Sequence, residues 1–367
     1  MLSPRALNRA LLARQLLLER SLLDALDAIE HLVGIQAQNP NDPYLALWAR
    51  LHDFRPEALA RMMTGRHVVR IALMRSTIHL VSARDCRMLR PLLQPVLERS
   101  VKGQFGKHLV GVDLGELAAA GRELVEGKAR TVGEIGKVLG QRWPGRDTAA
   151  LGNAVRALVP LVQVPPRGVW GSGGLAVHTT AESWLGSPLD AAPSIDPIVL
   201  RYLGAFGPAT VNDIQQRCGL TRLRGAIERL RPGLVTFRDE RGRELFDVPE
   251  GPRPGPDTPA PVRFLPEYDN VMLSHVDRSR VICDEDGRVL WRLLTQAGGI
   301  HFATITVDGF LGGAWRVART GDAAVLAVWL FRRPAKKEVA AIEQEGAELL
   351  TLVAPDAGTR KIEFSDP

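Results

Sequence analysis

The sequence predicts an α+β protein: three tandem winged-helix units, then a C-terminal barrel-like β domain with a terminal helix. Three observations carry that prediction. A block of capped helix, second helix, apolar strand and polar turn occurs twice, from Thr131 and again from Thr210. Helices leading into a two-strand ribbon precede these blocks and form an N-terminal copy with looser spacing. A proline-rich segment then separates the helical part from a run of alternating strands.

The elements follow in order. Ser3-Pro4 pairs a cap with a proline in the first turn and starts a helix. A helical pattern covers Leu22 to Val33, and Gly34 with the breakers Asn39-Pro40 and Asp42-Pro43 ends it. Helices are predicted from Tyr44 to Leu51 and from Pro56 to Met63. The apolar run Val68 to Met74 and its partner Thr77 to Val81 read as strands. Thr131-Val132-Gly133-Glu134 and Thr210-Val211-Asn212-Asp213 are both capping boxes ahead of an apolar run. Each is followed by a second helix, Thr148 to Leu158 and Thr221 to Leu230. Each then enters a strand, Leu161 to Val164 and Leu234 to Phe237, and a wing-like turn, Pro165 to Gly168 and Asp239 to Gly242.

Glu250 to Pro261 holds five prolines and two glycines and reads as an irregular linker. Beyond it, Phe302 to Val307 alternates before an Asp308-Gly309 turn, and Trp315 to Arg319 and Ala324 to Leu330 are further strands. A helix from Ala335 to Leu352 closes the chain. The expected units are 1–110, 111–190, 191–250 and 259–367.

Composition limits the function. The 367 residues are 45% hydrophobic and 24% charged, which excludes disorder and gives enough apolar side chains for several cores. No apolar run reaches the roughly 18 residues that span a bilayer, and no secretory signal is read at the N-terminus. Three scattered cysteines, Cys86, Cys218 and Cys283, without a CxxC, fit a reducing cytoplasm and argue against a disulfide framework or structural zinc. Net charge is +6, and seven lysines leave 40 of the 47 basic residues as arginine. That is compatible with phosphate binding, although a bias towards Ala, Gly, Arg and Pro accounts for it equally well.

Conventional catalytic motifs are absent: there is no GxSxG, P-loop, HExxH or GxGxxG after a strand. The pair His275 and Asp277 is too isolated for a metal site, so neither metal nor cofactor is expected. Gln36-Ala37-Gln38 is ambiguous. Two glutamines at a helix end ordinarily satisfy its last carbonyls. In a helix, positions i and i+2 diverge, whereas in an extended segment they share a face. Gly34 before them and Pro40 after them favour leaving the helix here, which permits a convergent pair. Tyr44 and Trp48, at helical spacing, read as core before they read as a stacking platform.

Four segments in order carry a family resemblance. Gly34-Ile35-Gln36-Ala37-Gln38 resembles the Q-apolar-Q motif of the AlkZ-type bacterial winged-helix DNA glycosylases. Arg75 to Val81 resembles that family's strand pair, and Gly168-Val169-Trp170-Gly171 its second wing. Phe264 to Val271, running on to Ser274 to Arg280, resembles the block opening its C-terminal domain. The resemblance implies three tandem winged helices with a barrel-like domain. It also implies hydrolysis of the N-glycosidic bond of bulky N7-alkylated purines, interstrand crosslinks included. Family members often protect the producer of a genotoxic natural product, and Gln36 and Gln38 match the catalytic pair. A sister branch carries an acid at the second position. Gln38 here points to the crosslink-resistance branch, which acts on an unflipped nucleotide in an open groove.

The expected partner is double-stranded DNA carrying alkylated purines or crosslinks, bound by a cytoplasmic monomer. Arg66, His67, Arg70 and Arg75 form a basic stretch without acids beside the glutamines. With His79, with Arg222 and Arg224 on the third unit's recognition helix, and with Asn270, His275, Arg278 and Arg280, they are the candidate DNA-binding residues. Two rival readings remain: a non-enzymatic winged-helix transcription regulator, and an inert scaffold for protein contacts. Neither needs paired glutamines.

Overall fold

The computed structural model describes residues 1–282 and 303–365. Cys283 and Phe302, named above, lie outside the described residues. Helix α1 (Pro4–Arg14) starts where Ser3 Oγ accepts from the Ala6 N–H at 3.2 Å. Helix α2 (Ala25–His31) is shorter than the Leu22 to Val33 pattern, because Asp24 caps it and leaves Leu22 90% exposed. Val33 and Gly34 then take positive φ and turn the chain into the short strand β1 (Ile35–Gln36). Asp42-Pro43, expected only to break a helix, opens one instead: α3 (Asp42–Trp48) takes Pro43 in its first turn, where a missing N–H costs nothing. Helix α4 (Pro56–Thr64) and strands β2 (Val68–Ala72) and β3 (Ile78–Ser82) follow.

The sequence reading assigns nothing to the next segment, which holds α5 (Ala83–Leu92), α6 (Gln94–Phe105) and α7 (Leu114–Gly127). Strand β4 (Arg130–Thr131) leads into α8 (Val132–Arg142), α9 (Thr148–Leu158) and the hairpin β5 (Leu161–Val164) and β6 (Val177–Thr180). After α10 (Ala181–Leu185) the order repeats as α11 (Asp196–Phe206), α12 (Val211–Cys218), α13 (Arg224–Leu230), β7 (Val235–Arg238) and β8 (Glu244–Asp247). Both capping boxes are formed: the Thr131 and Thr210 hydroxyls accept from N3, and Glu134 and Asp213 return the bond to the cap backbone. Between α8 and α9, Gly136 and Gly152 permit backbone contact. A Cβ on Gly136 would lie 1.9 Å from the Thr148 carbonyl oxygen, and one on Gly152 2.2 Å from that of Val132.

Strands from the first two segments form one antiparallel sheet, in the order β1-β3-β2-β5-β6-β4. Its seam is β2 with β5, pairing Arg70 with Gln163 and Ile71 with Val162. The segments 1–110 and 111–190 therefore share a sheet. Buried ion pairs tie α1 and the turn after α3 to later parts of the chain. Arg14 grips Asp247 through two bonds of 2.5 and 2.8 Å, and Arg50 grips Asp269 through two of 2.8 Å.

The C-terminal part corrects one expectation. Among the described residues it is an open five-stranded sheet, not a barrel. The order is β13 (Thr359–Ser365), β12 (Ala323–Leu330), β11 (Phe310–Thr320), β10 (Ala303–Val307) and β9 (Arg263–Leu265). In β12, Ala324, Leu326, Val328 and Leu330 alternate inward, so the sheet has one apolar face. The short helix α14 (Asn270–Leu273) follows β9, and α15 (Lys336–Val353) links β12 to the parallel strand β13. Helix α15 buries Ile342, Leu349 and Leu350. Its Gly346 comes so close that a Cβ there would meet Leu326 and Ile362 at 2.9 and 3.0 Å. A helix laid on the apolar face does what closure does in a barrel: it removes that face from water.

Candidate active site

Residues that alternate along an extended segment share a face; here the chain is strand over Ile35 and Gln36, and Gln38 lies at the bend that follows. Strand β1 pairs with β3, Ile35 with Leu80 and Gln36 with His79, and the Ala37 N–H continues the ladder to the Ile78 carbonyl at 2.8 Å. Gly34 makes the approach possible. Its φ is +85°, and a Cβ there would lie 2.7 Å from Val81 Cγ1 and 3.2 Å from the Leu80 carbonyl oxygen. Only glycine takes both conditions without strain.

The backbone of this segment is gripped from three directions. Arg217 of α12 and Asn270 of α14 both donate to the Gly34 carbonyl, at 3.3 and 3.0 Å, and Arg70 of β2 donates to that of Ala37 at 2.7 Å. All three donors are buried. Elements far apart in sequence thus converge on five residues and fix them against the sheet.

The two glutamine side chains differ. Gln36 is buried and its Oε1 accepts from Arg75 Nη2 at 2.5 Å. Gln38 is exposed, and its Oε1 lies 3.4 Å from the Ile78 N–H. Gln36 thus meets the turn between β2 and β3, and Gln38 the first residue of β3. The ground around them is divided by charge. On the Gln36 side lie Arg75 and the fully buried Arg217, whose guanidinium stacks 5.2 Å from the Phe206 ring. Burial first, and the charges of Arg217 and Arg75 second, hold His79 well below the usual imidazole range, so it stays neutral. On the Gln38 side, Asn39 donates to Glu267 at 2.7 Å. Asp42 is 4% exposed, with an Oδ2 that lacks a partner among the described residues. Burial, reinforced by the charge of Glu267, pushes the Asp42 carboxyl up to about 8.

The candidate DNA-binding residues separate into three groups. Arg66, Arg222 and Arg224 are exposed. Arg66 stacks 4.4 Å from the Trp184 ring, Arg222 lies just before α13 at φ +63°, and Arg224 is the first residue of that helix, beside Glu228. Arg70, His79, Asn270, His275 and Arg280 are interior, which corrects their expected place on a DNA-facing surface. His275 Nε2 pairs with the Phe206 carbonyl and Arg280 donates to that of Pro208, both at 3.0 Å. Arg75 and Arg278 are half-buried and donate to the Arg217 and Met272 carbonyls. Burial of polar groups needs hydrogen bonds, and backbone carbonyls supply part of them, while Arg70 Nε and Nη1, His79 Nε2, Asn270 Oδ1 and His275 Nδ1 have no partner among the described residues.

Tyr44 is fully buried, so the core reading holds, but its hydroxyl also works. It donates to the Gly168 carbonyl at 2.8 Å and accepts from the Trp170 N–H at 3.0 Å, which fastens the Gly168 to Gly171 loop to α3. The sequence reading missed Arg217, Asp42 and the Arg50–Asp269 pair. An arginine in a last helical turn reads as a solvated dipole partner, and Asp-Pro as a breaker. No local signal announced their burial. No group of three or more His, Cys, Asp or Glu among the described residues is placed to hold a metal ion. Nor is any helix among them long and apolar enough to cross a membrane.

No curated protein sequence matches the chain. Among solved structures, the DNA glycosylase AlkZ of Streptomyces sahachiroi superposes with a TM-score of 0.78 at 19% identity, covering 100% of both chains. At that identity the likeness speaks for the fold. The family model described as "DNA glycosylase AlkZ-like" matches residues 29–352, from α2 through α15, and so contains the glutamine segment and every element that grips it. On that match the chain belongs to the AlkZ-like DNA glycosylases, hydrolases whose partner is DNA.

Proposed function

We propose that this enzyme is a monofunctional glycosylase for bulky N7-alkylated purines, interstrand crosslinks included. It would act as a monomer built on three winged-helix units and leave an abasic site. One observation carries the reading: two glutamines two residues apart meet the same β2–β3 ribbon, Gln36 fixed inside by Arg75 and Gln38 exposed beside the first residue of β3. The chemistry suits amides. An N7-alkylpurine is already cationic, so the leaving base needs no general acid. What remains is to support an oxocarbenium-like sugar and to place one water, and a glutamine carbonyl orients water by accepting its hydrogen bond. A carboxylate would stabilise the cation more strongly but costs more to desolvate.

The interior placement of five expected DNA ligands leaves phosphate contacts to exposed arginines such as Arg66, Arg222 and Arg224. None of the side chains gathered around the glutamines is a lysine, which supports hydrolysis over Schiff-base lyase chemistry. The regulator and scaffold readings lose their footing with the family assignment. A role in self-resistance to a genotoxic natural product fits the same substrate class.

The test is incubation with duplexes carrying an N7-alkylguanine crosslink, followed by alkaline cleavage to reveal abasic sites. Wild-type enzyme is expected to release the base and unhook the crosslink. The variant with both Gln36→Ala and Gln38→Ala is expected to fall at least ~100-fold, the scale of losing positioned polar groups. Full-rate release by that double variant would refute the site.

A further inference from the structure

We propose that Arg75 is a positioning residue for base release: it occupies the carbonyl of Gln36 and thereby makes Gln36 present its NH2 group, not its oxygen, to the reacting nucleotide. The inference rests on the glycosylase reading above and separates the roles of two glutamines that the sequence leaves equivalent.

The argument starts from what a guanidinium can do. Arginine has N–H donors and no acceptor, so the Gln36 atom facing Arg75 Nη2 at 2.5 Å must be oxygen. That decides the amide orientation chemically. The Gln36 NH2 group has no acceptor among the described residues. Gln38 is the reverse case: the residue is exposed, and its oxygen, which meets the Ile78 N–H at 3.4 Å, keeps a lone pair for a second donor. The site therefore offers a donor at Gln36 and an acceptor at Gln38. The acceptor suits a water proton. The donor suits an oxygen of the nucleotide, a sugar or phosphate oxygen, and holds it in register with that water.

Arg75 is itself held. Its Nη1 donates to the Arg217 carbonyl at 3.0 Å, in the last turn of α12. Gly219, which ends α12 at φ +80°, packs on its backbone, and a Cβ there would lie 3.3 Å from the Arg75 nitrogen. Arg75 and Ser76 both take positive φ, at 54° and 61°, in the turn between β2 and β3. Two consecutive non-glycine residues in that region persist only where the surroundings over-determine them, and such strain concentrates at functional sites. Here the over-determining contact is α12. A helix of the third repeat thus sets the turn, the turn sets Arg75, and Arg75 sets Gln36.

The test compares Arg75→Met and Arg75→Lys with wild type in single-turnover base release from an N7-alkylguanine duplex, alongside DNA binding across a salt series and thermal melts. Arg75→Met is expected to slow the chemical step at least ~30-fold while Kd for DNA changes less than ~3-fold. Arg75→Lys, which keeps one donor, is expected to recover part of the rate. In a Gln36→Ala background, Arg75→Met is expected to add less than ~3-fold, since both changes remove one function. The inference is overturned if Arg75→Met keeps the wild-type rate while Gln36→Ala is slow. It is equally overturned if the loss appears in Kd with a shallower salt slope, the mark of a phosphate ligand, or if the two losses multiply. Should Arg75→Met not fold, Arg75→Lys decides alone: wild-type rate, or a loss confined to Kd, overturns the inference. Full activity of Gln36→Ala would instead refute the underlying site assignment.

Discussion

Replacing Gly34 with alanine probes the geometry on which the site depends. Two costs arise. The residue sits at φ +85°, which costs an alanine about 1–2 kcal/mol. The added methyl would also lie 2.7 Å from Val81 Cγ1 and 3.2 Å from the Leu80 carbonyl oxygen. The first contact is relieved by moving Val81, which is buried, at roughly 0.5–1.5 kcal/mol for an off-rotamer side chain. The second involves the backbone of β3, which pairs with β1, and is relieved only by letting the two strands part. The sum is about 2–4 kcal/mol. A domain stable by roughly 5–15 kcal/mol stays folded under that load at 25 °C. In guanidinium titration the midpoint should drop with the slope unchanged. Base release by the folded protein should also fall at least ~10-fold, because the Gly34 carbonyl held by Arg217 and Asn270 moves with its residue. An unchanged midpoint together with full-rate release would refute the account of this turn.

Other outcomes follow from the same structure. Asp42 titrates near 8 in the fold and near 3.9 unfolded, so between those values the unfolded chain releases a proton that the native state keeps. Stability should therefore fall as pH rises from about 4 to 8. Asp42→Asn should flatten that slope and stabilise the protein at pH 8 by at least roughly 1 kcal/mol, read from denaturant midpoints across pH; a slope that survives the change refutes the assignment. Arg50→Met strands the buried Asp269 carboxylate and should cost about 3–5 kcal/mol in the same titration, so a loss below about 1 kcal/mol would count against the pair as a tie between the turn after α3 and the C-terminal part. Replacing Arg66, Arg222 and Arg224 together with alanine should shallow the salt dependence of DNA binding by roughly 0.9 for each phosphate that is no longer neutralised. An identical slope would move the DNA path elsewhere.

Much of this protein could be read locally. Ser3-Pro4, Thr131 with Glu134 and Thr210 with Asp213 each start a helix through atoms three residues apart, and the structure has all three starts. Thr148–Leu158 and Leu161–Val164 have the predicted bounds, because period and punctuation are properties of the chain itself. The Gly34 to Pro40 punctuation likewise favoured leaving the helix here, and the chain does so into the strand Ile35–Gln36. What tertiary structure alone decided is how charges are used. Arg70, Arg75 and Arg217 look alike in sequence to Arg66 and Arg224, yet the first three grip the glutamine segment from inside and the last two face solvent. Likewise, the run Ala324 to Leu330 read as a strand, but nothing in it said that α15 rather than ring closure would cover its buried face. A residue's period says which way it points from its own element. Only the packing of elements distant in sequence determines what it meets there, and a guanidinium spends its donors on whatever acceptor that packing brings within reach.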